Sequence, residues 1–180
     1  MAAAAGVNTI EHCSWIEPDG SVGSIDVRVA AEMCRRRQVA VIAGPLPGDL
    51  ALRLGHHADV DARSDASSKR LLAVWDNARR ARDLGVAVAL GTDALFGQFE
   101  DHRDLAWRAQ ALVELAGWSP ALALEALWKG GAAAFAMSGR IGVVAPGACA
   151  DVVVLGGDPR VDIGALRDVR AVFRGGLQVT

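Results

Sequence analysis

Val86-Ala-Val-Ala-Leu-Gly-Thr-Asp93-Ala94 is the stretch from which the rest of the chain is read. A helical pattern runs out at Leu84, and Gly85 suits a left-handed helix cap. The short apolar run that follows has the character of a buried strand. The run stops on a carboxylate, so it is predicted to be a parallel strand that delivers Asp93 to the mouth of a barrel. Side chains alternate across a strand. If Asp93 faces inward, Ala87, Ala89 and Gly91 do too, while Val86, Val88 and Leu90 face covering helices. Small residues inside and branched ones outside leave room for something to bind above the strand. Taken alone, Gly91-Thr92-Asp93 is equally the sequence of a plain strand-to-helix turn with a capping Asp.

Composition narrows the classes. The chain has 180 residues, 52% of them hydrophobic, enough for a real core and for one domain or slightly more. The net charge is -2, and the arginines are scattered among acids and form no basic stripe, so no nucleic-acid partner is expected. Cys13, Cys34 and Cys149 are far apart, odd in number and without a CxxC pair, which predicts reduced thiols in a cytoplasmic protein. Met1-Ala-Ala-Ala-Ala-Gly6 lacks basic residues and gives way at once to Asn8 and Glu11, unlike a signal peptide. It reads as a helix tail capped by Gly6, as in a chain that begins inside a helix. No stretch approaches the roughly 20 apolar residues of a membrane span, so no membrane partner is expected.

Working outward, Val7 to His12 and Val39 to Ala43 read as further short strands, the first also ending on ionisable groups. Pro18-Asp19-Gly20 marks a turn, and Val29, Ala30, Met33 and Cys34 mark a helix that starts at Asp26 and ends in Arg35-Arg36-Arg37. Gly44-Pro45-Leu46-Pro47-Gly48 breaks the pattern, and residues 49–67 read as a long loop. Ser68 is the expected cap of the next helix, with Leu71, Leu72, Trp75, Ala78 and Ala81 buried. A helix opening at Asp101 or His102 carries Leu105, Ala109, Leu112, Val113 and Ala116 on one stripe and stops at Gly117. Ser119-Pro120 then starts a helix to about Trp128. Strands alternating with helices argue for right-handed parallel β/α units, too few to close a barrel of about 250 residues.

From residue 139 the signals become antiparallel. Ile141 to Gly147 reads as a turn, Ala150 to Gly156 as a strand, and Val169 to Val179 as a hairpin turning on Gly175-Gly176. The expected division is therefore 1–138, part of an α/β barrel, and 139–180, strands of a small β domain.

His12 and Asp93 thus stand at the ends of two parallel strands, on the barrel face where active sites are built. Imidazole and carboxylate are a usual pair of ligands for zinc or a similar divalent ion, although a catalytic zinc takes about three protein ligands and a water. His56 and His57 are adjacent in the long loop and do not have the spacing of a ligand pair. No Gly-x-Gly-x-x-Gly follows a strand, which argues against a doubly wound nucleotide-binding domain.

The order of segments resembles the C-terminal half of the amidohydrolase superfamily, in particular its imidazolonepropionase-like and prolidase-like metal-dependent hydrolases. The matching stretches are Ala5-Gly-Val-Asn-Thr-Ile-Glu-His12, Ala89-Leu-Gly-Thr-Asp93-Ala, and Val113-Glu-Leu-Ala-Gly117 followed by Ser119-Pro120-Ala. To these are added Gly139-Arg-Ile-Gly-Val-Val-Ala-Pro-Gly-Ala-Cys-Ala-Asp-Val-Val-Val-Leu-Gly-Gly-Asp-Pro159 and Val172-Phe-Arg-Gly-Gly176. The resemblance implies strands six to eight of a TIM-type (β/α)8 barrel plus part of a small β-sandwich. It implies that His12 is a metal ligand at the end of strand six. Asp93, at the end of strand eight, would bind metal and act as general base and then general acid on the attacking water. Glu11, Thr92 and His102 are neighbours that would support the ligands or touch substrate.

The resemblance further implies a divalent metal, one or two ions and most simply zinc, and a small-molecule amide substrate. The reaction would be hydrolysis of a carbon–nitrogen bond of the cyclic-amide or peptide kind. The His-x-His pair of strand one, the bridging lysine or carboxylate of strand four and the histidine of strand five have no counterpart here. The expectation is therefore a truncated product that is inactive alone. The alternative is a non-catalytic or split subunit, completed by another chain that carries strands one to five, or a homo-oligomer.

Overall fold

The computed structural model describes residues 2–43, 65–94 and 104–180, with helix side chains from residue 72 after the first of these gaps. His56, His57, Leu71, Asp101 and His102 therefore lie outside what it describes, as does the Gly44 to Gly48 breaker.

The chain enters through a 3-10 turn at Ala3–Ala5 closed by Gly6, whose φ of 82° is the left-handed cap that glycine adopts without a Cβ penalty. Three strands follow at intervals: β1 (Thr9–Glu11), β2 (Val39–Ile42) and β3 (Ala87–Leu90). They form a parallel sheet in the order β1-β2-β3, with Thr9 opposite Val39 and Val39 opposite Ala87. Helix α1 (Val27–Arg36) links the first pair, its N-cap Asp26 accepting from the Arg28 amide. Helix α2 (Asp65–Asp83) precedes β3. It starts at Asp65, three residues ahead of the expected Ser68 cap.

Register and alternation sort the sheet. Ile10, Ala40, Ile42, Val88 and Leu90 share one face, and that face joins the core with Ala30, Met33, Trp75, Ala78 and Ala81. The branched residues of β3 thus turn to the helices as expected. Leu72 does not belong to the buried stripe: it is 47% exposed, and Val74 at 6% takes its place beside Trp75. On the opposite face Ala87 is exposed, whereas Ala89 is only 2% exposed. The helix after Ser119 also packs on β3. It runs as α4 (Pro120–Glu125), widens into a π-helical turn at Ala126–Gly130 and continues as α5 (Gly131–Ala134), past its expected end at Trp128. Gly130 lies so close to β3 that a Cβ there would stand 2.2 Å from the Val88 carbonyl oxygen and 2.9 Å from the Ala89 Cα.

Helix α3 (Leu105–Glu114) buries Ala109, Ala111 and Leu112, and the chain reverses at Gly117 with φ of 66°. A second sheet has the antiparallel order β4 (Val152–Leu155), β5 (Val169–Arg174), β6 (Leu177–Gln178), with Val152 opposite Phe173. Gly175 and Gly176 both have positive φ, the requirement of the tight turn between β5 and β6. A 3-10 turn at Ile163–Arg167 ties this part to α3: Ile163 is 3% exposed within the core, and the Arg167 guanidinium lies 4.0 Å from the Trp107 ring centre. No helix among the described residues is long and apolar enough to cross a membrane.

Candidate functional site

Parallel strands bring their C-terminal ends to one edge of the sheet. His12 follows β1 directly, whereas Asp93 stands three residues beyond Leu90, so β3 stops earlier than the sequence suggests. A last ladder bond, from the Gly91 amide to the Ile42 carbonyl (2.9 Å), carries the pairing one step past the strand. The two side chains belong to strands with β2 between them, roughly 10 Å apart at the usual strand spacing. They nevertheless meet: His12 Nδ1 is 3.7 Å from Asp93 Oδ2.

The backbone explains the meeting. His12 has φ of 63° and Asp93 φ of 52°, both in the left-handed region. His and Asp enter that region more readily than most residues, yet at a cost in strain. Each reversal takes the chain off the course of its strand. Cys13 (φ 40°) and Trp15 (φ 51°) continue the reversal on the His12 side. The side chains of His12 and Asp93 are 56% and 38% exposed, open to a ligand from solvent.

Their neighbours are arranged differently. Thr92 is half-buried, and its Oγ1 accepts the Ala94 amide at 3.4 Å, so the hydroxyl is engaged in the local turn. Glu11 is exposed on the strand, and its carbonyl accepts the Cys13 amide at 2.7 Å. Cys13 is buried, and burial, helped by the Glu11 charge, pushes its thiol up to about 12. In the absence of a metal it stays protonated at neutral pH. His102 lies outside the described residues. Of the sequence-predicted set, the structure brings together His12 and Asp93.

Imidazole nitrogen with carboxylate oxygen is the right donor chemistry for zinc. Among the described residues no group of three or more His, Cys, Asp or Glu gathers around a common point. The pair offers two donors of the kind a metal takes, fewer than the three protein ligands of a usual catalytic zinc.

The model of the amidohydrolase family matches residues 1–179. Among curated proteins none matches the chain. Solved structures do. A Xaa-Pro dipeptidase with methionine bound in its active site is 22% identical, with a TM-score of 0.72 over 98% of this chain and 41% of its own. Ochratoxinase from A. niger is 22% identical at 0.72 (98% of this chain, 38% of its own), and a molinate hydrolase is 20% identical at 0.73 (99% and 39%). At such identities the likeness is one of fold. The chain spans about two fifths of the length of these structures.

Proposed function

Because the chain belongs to the amidohydrolase family, we propose that it contributes His12 and Asp93 to a metal-dependent site that hydrolyses a carbon–nitrogen bond. The observation that carries this reading is the 3.7 Å approach of two ligand-type side chains from strands that are not neighbours. The parallel sheet β1-β2-β3 corresponds in this reading to strands six to eight of a (β/α)8 barrel, and residues 139–180 to part of the adjoining small β domain. A divalent ion bound there would lower the pKa of its water to about 7 and polarise the scissile carbonyl. His12 would hold the ion. The Asp93 carboxylate, within reach of the same point, would accept the proton of the attacking water and pass it to the departing nitrogen. Substrates of the dipeptide or cyclic-amide class suit this chemistry, and one of the similar structures is that of a Xaa-Pro dipeptidase.

A second reading, of a subunit completed by another polypeptide, is favoured by one feature: among the described residues β1 and β3 each pair on one side only. An open edge of this kind recruits further strands. Hydrolysis of a dipeptide and cyclic-amide panel in added zinc tests both. The expectation is no turnover by the chain alone and, once a polypeptide with a strand-borne His-x-His is co-expressed, turnover that Asp93→Asn abolishes. Turnover by the chain alone that survives Asp93→Asn contradicts the assignment.

A further inference from the structure

β1 is only Thr9–Glu11, paired on one side among the described residues, and yet the residue it delivers is held in a left-handed conformation and meets Asp93. A three-residue edge strand does not fix the loop that follows it, so something else must. That loop folds back on itself. The Gly23 amide donates to the Trp15 carbonyl (2.8 Å), Ile16 and Val22 bridge in antiparallel fashion, and the Glu17 amide donates to the Ser21 carbonyl (2.9 Å). Its base is grasped from beneath by a carboxamide on α2: Asn77 Nδ2 donates to the Gly23 carbonyl at 2.7 Å, and the Ile25 amide donates to Asn77 Oδ1 at 3.1 Å. Asn77 is 2% exposed, a polar side chain on an otherwise apolar helix face, and both its ends are used for this purpose.

The connection to His12 is short. Asn77 fixes Gly23, Gly23 fixes Trp15, and Ser14 Oγ donates to the His12 carbonyl at 3.1 Å. In the other direction, α2 leads through Gly85 into β3 and so to Asp93. We propose that Asn77 is a positioning residue for the His12–Asp93 pair, clamping the loop after β1 onto the helix that precedes β3. The inference rests on the reading of His12 and Asp93 as one site. It adds that the geometry of that site is set from the buried side of the fold. Strained backbone persists only where its surroundings over-determine it, and Asn77 is the fixed point for the run His12 to Trp15.

The test reads the His12 imidazole carbon–proton signal of the metal-free full chain at one fixed pH, identified by its loss in His12→Gln. Asn77→Asp keeps the acceptor for Ile25 and replaces the donor to Gly23 by an oxygen; Asn77→Ser is the milder cut, read if the first variant does not fold. Ala81→Gly loosens the same buried helix without touching the loop. The expected result is a His12 signal shifted or broadened in the Asn77 variants and unmoved in Ala81→Gly, although all three lower Tm. A His12 signal that stays in place in a folded Asn77 variant, or moves equally in Ala81→Gly, overturns the proposal. Zinc added to the wild-type chain separates the two claims. A His12 signal indifferent to zinc sinks the metal pair and leaves the Asn77 comparison, made without metal, standing.

Discussion

His12 and Asp93 are ordinary residues in an uncommon backbone conformation, and the strain is what lets them meet. Holding a residue that has a Cβ in the left-handed region costs about 1–3 kcal/mol. Glycine escapes that cost. At His12 (φ 63°), the substitution His12→Gly is therefore expected to leave the chain about 1 kcal/mol more stable than His12→Ala, as measured by urea denaturation. Equal stability of the two variants would show that His12 is not under backbone strain. The residue types of the pair were plain in the sequence, since each ends an apolar run. Their conformation was not, because nothing in Glu11-His12-Cys13 announces a reversal, and the contacts of the loop that follows, such as Asn77 with Gly23, join segments far apart in the sequence.

At the scale of elements, the helix beginning at Ser119-Pro120 was legible from its cap and proline, and Ser119 Oγ does accept the Leu122 amide at 3.3 Å. The π-helical turn at Ala126–Gly130 was not legible, because it answers to a contact with β3 that is distant in sequence. Neighbouring glycines make a sharp test of it. Gly130→Ala places a methyl against the Val88 carbonyl and is expected to cost about 1–3 kcal/mol or more, whereas Gly131→Ala meets nothing within 4 Å. In helical backbone the second change should stabilise by up to about 1 kcal/mol. Thermal melts of the two variants should move in opposite directions. On α1, Arg35 and Arg36 hydrogen-bond the Glu32 carboxyl and hold it at about 2, down from an ordinary 4.5. A depressed carboxyl contributes stability above its unfolded value and loses it as pH falls toward the folded one. Tm should accordingly drop between about pH 4.5 and 2, and Glu32→Gln should flatten part of that drop. The Leu72 expectation failed for an instructive reason. Helical spacing fixes the angle between residues but not which side meets the sheet, and the stripe centred on Trp75 and Ala78 leaves Leu72 outside.

In the whole molecule, the alternation of strands and helices and the change of character near residue 139 could be read directly, because hydrophobic period and turn residues are local properties. How the second sheet attaches to the rest could not, since it depends on contacts between segments far apart in the sequence, those of Ile163, Leu166 and Arg167. Ile163, 3% exposed against the helices, joins the 3-10 turn to the main core. Ile163→Ala should cost about 2–5 kcal/mol and lower the Tm of the entire chain, whereas Val161→Ala, at a site 79% exposed, should stay within about 0.5 kcal/mol. A melt that splits into two transitions in wild type would instead show the second sheet folding by itself. The central claim is that two strand ends, separated by a third, make one cation site. Zinc affinity of the full chain, His12→Gln, Asp93→Asn and the double variant, measured by calorimetric titration, tests it most directly. Each single change is expected to weaken binding at least about tenfold, and the double variant to be little worse than either, as for ligands acting on one ion. Affinity unchanged by both single changes, or losses that simply add, would contradict it.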